Sequence, residues 1–189
     1  MPQHSTRNQI VEEADALFYA NGFENTSFSD IAAVVGISRG NFYHHFKTKD
    51  EILDAVITRR LGMTRDMLGS WEAESASPAD RIISFVRILV VNRAAIMAFG
   101  CPVGTLCVEL AKLKHAAQGQ AAGIFDLFAN WLAMQFVKLG QDDRSEALAM
   151  HLLARTQGVA VMASAFHDEN FIRKEVKMLE DWIKALPNQ

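Results

Sequence analysis

The break Gly36-Ile37-Ser38 constrains this chain more than any other feature, because a short helical pattern stands on each side of it. Ser27 precedes the first pattern and Asp30 follows three residues on, the capping-box spacing that satisfies orphan amides at a helix start. Ile31, Val34 and Val35 give that helix one apolar face, and Gly36 suits the left-handed conformation that stops it. Ser38 is a good N-cap for the second helix, with Ile37 and Phe42 at the two positions of a hydrophobic staple. Two helices joined by a tight Gly-containing turn read as a helix-turn-helix, whose second helix lies in the major groove of DNA. The start of that helix presents Ser38, Arg39, Gly40, Asn41, Tyr43 and His44.

Charge agrees with this reading locally and not globally. A net charge of −3 argues against a generally basic nucleic-acid binder. From Ile31 to Lys49, however, there is no acid, while Arg39, Lys47 and Lys49 are basic and His44 and His45 can become so. A local cationic face on an acidic body fits a protein that meets DNA through one surface. Arg39 is suited to guanine in the major groove and Asn41 to a base edge or a phosphate. Tyr43 and His44 suit the DNA backbone, and Gly40 lets the duplex come close. Phe42 and Phe46 read as core, and His45 as a packed histidine.

The same residues carry a resemblance. The runs Gly36-Ile37-Ser38-Arg39-Gly40, Phe42-Tyr43-His44-His45-Phe46 and Thr48-Lys49-Asp50-Glu51-Ile52-Leu53, with Gly22-Phe23, Thr26 and Asp30-Ile31-Ala32 upstream, resemble the DNA-binding segment of the TetR family of bacterial transcriptional regulators. The match covers about the first third of the chain. It implies a head that reads DNA, a linking helix that begins near Lys49, and dimers paired through the last two long helices.

In chain order, Thr6 and Gln9 make another capping-box candidate, followed by Ile10, Val11, Ala14, Leu17 and Phe18 at helical spacing and Gly22 as a stop. Arg7 reads either as a phosphate contact or as a simply exposed arginine. Thr48 and Glu51 open a helix with Ile52, Leu53, Val56 and Ile57 inward, expected to reach Met67 or Leu68, with Arg59 and Arg60 facing solvent. Its amino end, beside Lys49, is suited to phosphate. Ser27, Thr48 and Lys49 therefore join Ser38, Arg39, Gly40, Asn41, Tyr43 and His44 as DNA-contact candidates. Gly69 to Ser77 reads as a loop, and Ser77-Pro78 restarts a helix that is apolar on more than one side. The segment Phe99-Gly-Cys-Pro-Val-Gly-Thr105 interrupts helix, and Thr105 caps the next one, through about Ala117. Further helices are expected over 120–139, 143–166 and 169–186, with Pro187 as a stop.

Apolar residues in the last of these step by four, three, four and three at Ile172, Val176, Leu179, Ile183 and Leu186. Leu152, Thr156, Val159, Ala163 and Phe166 repeat that stepping in the helix before it. Such seams either pair two subunits or cover the chain's own core. The family resemblance favours the dimer. No strand pattern, repeat or low-complexity tract is present. The expected fold is all-α, of about nine helices: a helix-turn-helix head at 1–48 and an effector-binding and dimerisation bundle at 49–189.

The body is the expected effector site. Met63, Met67, Trp71, Phe99, Phe125, Phe128, Trp131 and Met134 are candidates for lining an apolar pocket, against the alternative of ordinary core packing. Cys101 lies in the Gly-Cys-Pro-Val-Gly break. It reads either as a buried structural thiol or as one activated by the amides of the next helix. The segment Phe99 to Leu106 resembles a motif in one branch of the TetR family that includes cysteine sensors of electrophiles and oxidants. Cys107 reads as packing, and the spacing does not face it toward Cys101 for a disulfide.

Two cysteines make no disulfide scaffold, which points to a reducing cytoplasm. Met1 to Asn8 is polar with no apolar run after it, so no signal peptide is expected. No membrane span is expected either, because Arg87, Arg93 and the Gly100–Gly104 break interrupt the most apolar region. His115, His151 and His167 lack ligand spacing, so no metal or cofactor is expected, and no nucleophile triad or phosphate loop points to an enzyme. The implied partners are double-stranded DNA with a palindromic operator, a small-molecule effector and a second copy of the chain. A helical carrier or enzyme with a vestigial head is the alternative, and an activator of the same fold is not distinguished from a repressor.

Overall fold

A computed structural model describes residues 5–186, and these residues are all-helical, without strand. Pro187, the expected stop, lies outside them. The helices are α1 (Thr6–Asn21), α2 (Phe28–Val35), α3 (Arg39–His45), α4 (Lys49–Glu74), α5 (Pro78–Val91), α6 (Arg93–Phe99), α7 (Pro102–Lys112), α8 (Gln118–Lys138), α9 (Ser145–Phe166) and α10 (Glu169–Lys184), with one 3-10 turn at Asp142–Arg144.

The head follows its local signals closely. Ser27 and Asp30 make both halves of the capping box, and Gly36 closes α2 in the left-handed conformation at φ 74°. The Ser38 hydroxyl accepts from the Asn41 amide and the Thr48 hydroxyl from the Glu51 amide, so α3 and α4 start where their caps stand. Phe42 and Phe46 are buried in a head core with Ile10, Ala14, Phe18, Ile31 and Ile52. Two details differ. Ser5, not Thr6, caps α1, accepting from the Asn8 amide at 3.3 Å. Val34 is 54 % exposed, and Ala32 takes its place on the inner face of α2.

The body departs from expectation where tertiary packing outweighs local signals. α4 runs on to Glu74, through the expected loop at Gly69. Its extra turns hold Trp71 against Trp131, whose ring centroid lies 5.6 Å away. That packing offsets the ~1 kcal/mol that a glycine costs within a helix. Asn92 divides the expected single helix into α5 and α6. α7 begins at Pro102 with Cys101 as N-cap, four residues before the expected Thr105 cap, and it ends at Lys112 rather than near Ala117. Residues 93–112 have the length and mean hydropathy (1.7) of a membrane span. Gly100, at φ 81°, and Cys101 split that stretch into helices of 7 and 11 residues, each shorter than the ~20 needed to cross a bilayer.

The expected dimer seams turn inward. Leu152, Thr156, Val159 and Ala163 of α9 and Ile172, Val176, Leu179 and Ile183 of α10 are all buried in the core of this single chain. Leu186 is half-buried against the same core. Only Phe166, 68 % exposed, faces outward. The body's central helices α5 and α8 need covering on several sides, and these stripes supply that cover.

Candidate nucleic-acid interface and effector cavity

The outward side of the head gathers most of the expected DNA contacts. Arg39, Gly40, Asn41, Tyr43 and His44 are all exposed on one short helix. The Arg39 guanidinium donates to the Ser29 hydroxyl at 2.8 Å, which aims it along the α2–α3 cleft. Gly40 has open space beyond it. Ser27, Ser38 and Thr48 are exposed, but their hydroxyls already act as caps. Ser27 holds the Asp30 carboxyl below the usual carboxylate range, through its hydroxyl first and then its amide. Lys49 turns inward: its ammonium donates to the Phe23 and Glu24 carbonyls and lies 4.3 Å from the Phe23 ring centroid. Arg7 lies over the Phe46 ring at 4.7 Å.

Head and body are tied at several points that no local pattern announced. Arg60 is not solvent-facing: its side chain is 11 % exposed, and it donates to Asp15 of α1 and to the Pro102 carbonyl of α7. Arg59 pairs with Glu12 and Asp15. The Tyr19 hydroxyl donates to the Gly100 carbonyl at 2.6 Å. The Glu109 carboxylate of α7 accepts from the Phe23 and Glu24 amides, each at 2.9 Å, and so caps the turn after α1. A side chain at Gly22, which has φ 88°, would collide with that carboxylate. His115 meets the Phe23 ring edge-on and lies 3.4 Å from Asp50. α7 is thus fastened to the head at both of its ends and along its middle.

The same junction walls a cavity of about 600 Å³. Of the pocket candidates, Met63, Met67, Phe125 and Phe128 line it, together with Cys101, Phe85, Leu89 and Leu153. Trp71, Phe99, Trp131 and Met134 do not. Trp131 is buried and donates its indole N–H to Glu72, with Trp71 packed against it. Phe99 sits on the Tyr19 ring, and Met134 is exposed. Sequence reasoning missed Glu12, Asp15 and Tyr19 in the lining, because it assigned the cavity to the body alone and α1 supplies part of the wall. It also missed Thr64 and Gln157 of the body, because it looked only for apolar side chains. Burial is the main cause that pushes the Tyr19 phenol up to about 12. Cys101 is half-buried, and its sulfur accepts from the Gly104 amide. Burial also raises the Cys107 thiol. Both cysteines are free. Among the described residues no cluster of His, Cys, Asp or Glu is arranged to hold a metal.

An exposed recognition helix on a capped turn, joined through a linking helix to a bundle with an apolar cavity, defines a helix-turn-helix transcriptional regulator. The comparisons agree. Residues 10–56 match the family described as bacterial regulatory proteins, tetR family. An uncharacterized HTH-type transcriptional regulator in the lacX 3′ region of Lactococcus lactis subsp. lactis is 24 % identical over 180 residues, 93 % of this chain and 92 % of that protein. The HTH-type transcriptional repressor DhaR of Mycobacterium sp. (strain GP1) is 24 % identical over 166 residues, 84 % of this chain and 82 % of its own. A TetR transcriptional regulator from Legionella pneumophila has the same fold, with a TM-score of 0.86 at 23 % identity over 96 % of this chain and 99 % of that one. The amino-terminal segment thus matches the tetR family, and the whole chain shares the fold of a solved TetR regulator.

Proposed function

We propose that this regulator is a cytoplasmic repressor that binds a roughly palindromic operator as a homodimer and is released by a small apolar or electrophilic molecule. The observation that carries the reading is the shared wall: α1 of the head and α4, α7 and α9 of the body line one cavity. A guest that prefers one arrangement of that wall biases the position of the head by its differential affinity. The route is short. Cys101 to Val103 line the cavity at the start of α7, and Glu109 of the same helix holds the α1–α2 turn.

The proposed pairing surface is the outer side of α9. Met150, Ala154, Gly158, Val161 and Ala165 step along it at helical spacing, and all are exposed. With its inner stripe buried as well, α9 is apolar on two opposite faces, with His151 and Arg155 turned toward α10 between them. An apolar outer face of this kind suits a covering partner. Two heads paired in this way would meet half-sites about one DNA turn, ~34–36 Å, apart or somewhat more.

Within this reading Arg39 contacts a base. Arg39→Ala is expected to weaken binding to the DNA upstream of its own gene by ~1–3 kcal/mol and to relax sequence preference. Quantitative gel shifts on specific and scrambled duplexes measure this, and an unchanged affinity would retire the assignment.

The Gly-Cys-Pro branch motif supports Cys101 as the point of attack for an electrophile, since its sulfur lines the cavity and caps α7. Treated with a Michael acceptor such as N-ethylmaleimide, the parent is expected to lose DNA binding and the Cys101→Ser protein to keep it. Equal release by both proteins would leave the thiol a structural role only.

A further inference from the structure

The cavity is walled mainly by hydrocarbon, and the charges at its rim cancel. Arg59 and Arg60 face Glu12 and Asp15 and are paired with them, and Arg60 also donates to the Pro102 carbonyl. No lysine or histidine lines the cavity. The Tyr19 hydroxyl is committed to the Gly100 carbonyl. An ionic guest therefore has to break one of these pairs or lie unpaired beside Phe85, Phe128 and Leu153. Both routes are costly against an apolar wall.

Two polar side chains in the lining are left over. Thr64 of α4 is buried, 8 % exposed, and its hydroxyl makes no hydrogen bond within the chain. The other buried polar residues among those described, Thr26, Gln135, Gln141, Ser145 and Thr156, all have partners. No fully enclosed polar atom lacks one, so the Thr64 oxygen is reachable from the open space it lines. Gln157 of α9 lines the same space, and its carboxamide is likewise unengaged. It is held close to the first turn of α7, where a side chain at Gly104 would come within 2.6 Å of its oxygen. Buried polar groups are ordinarily satisfied. A hydroxyl and a carboxamide each donate and accept, and neither carries charge.

We propose that the cavity takes an uncharged, largely apolar molecule whose carbonyl or hydroxyl oxygen bonds to Thr64 or Gln157, and that it rejects carboxylates and amines of the same shape. The inference rests on the reading of this cavity as the effector site. At about 600 Å³ the cavity is sized for a single small organic guest.

The test uses the full chain and four probes on one ring system: 2-acetylnaphthalene, 2-ethylnaphthalene, 2-naphthoate and 2-(aminomethyl)naphthalene, with affinities read by calorimetry. The ketone is expected to bind ~10-fold or more tighter than either ion, and ~5–10-fold tighter than the hydrocarbon. Thr64→Val and Gln157→Leu together are expected to erase the ketone's advantage over the hydrocarbon while leaving hydrocarbon affinity within ~2-fold. An ion that binds as tightly as the ketone, or an advantage that survives both substitutions, would overturn the proposal and leave the cavity as a binding site of another chemistry. If no probe binds, or binding is unaffected in a Met67→Trp protein that melts like the parent, the effector-site reading fails and the proposal with it.

Discussion

A Gly158→Glu protein is expected to be a well-folded monomer that binds a two-half-site duplex at least ~100-fold more weakly than the parent. The expected loss comes from linkage, because joining two modest half-site contacts raises their combined affinity by ~10²–10⁴. Gly158 sits at the middle of the outer α9 stripe, with no atom of the chain within 4 Å of where a Cβ would stand. Adding a side chain there costs the protomer nothing sterically, and replacing a mid-helix glycine favours the helix by up to ~1 kcal/mol. Folding and pairing are thereby separated. In a twofold interface the substitution places two carboxylates near each other in an apolar seam, where neither has a partner. Sedimentation velocity at micromolar concentration reads the first effect and gel shifts the second. A variant that stays dimeric would move the pairing surface elsewhere. A monomer that binds the full site like the parent would remove dimerisation from the mechanism.

Phe42→Ala is expected to cost the head ~3–5 kcal/mol and to abolish DNA binding at 37 °C while the body stays folded. Phe42 is 1 % exposed at the centre of α3, and its ring packs edge-on against Phe28 at 5.1 Å. Truncating it leaves a void under the recognition helix, which has only seven residues and few other anchors. Ser38 still caps α3, but a helix this short does not persist in water without packing. The body core around Phe136, Leu152 and Ile172 is a separate cluster, joined to the head core only through residues such as Leu106, Leu110 and Ala121, so its melting should fall by much less than the head's. Calorimetry that resolves the two transitions checks the claim, and a shift worth less than ~1 kcal/mol would show that the head core does not depend on this ring.

How far the sequence could be read followed how local each determinant is. The Ser27–Asp30 box, Gly36, Ser38 and Thr48 act within four residues of themselves, and each does what its chemistry requires. Stops were less legible. Gly69 carries a stop signal that a tryptophan pair downstream overrides, and the Cys101 cap displaced the more conventional Thr105. The stripes on α9 and α10 gave the correct period and the wrong partner. A four–three repeat states that a face is buried, not which chain covers it. In α9 the surface left outside was a second and subtler stripe of Met, Ala, Gly and Val. The cavity was half legible for a related reason. Met63, Met67, Phe125 and Phe128 stand out by composition, whereas Tyr19 and Glu109 acquire their roles from partners more than eighty residues away.

The most direct test of the account is the binding of the purified protein to the duplex upstream of its own gene across a series of salt concentrations. The account predicts a specific shift at low ionic strength, competed away by the inverted repeat alone. It also predicts a logarithm of affinity that falls linearly with the logarithm of salt, with a slope that reports several neutralised phosphates. No shift on any inverted-repeat duplex at low ionic strength, or an affinity indifferent to salt, would contradict it.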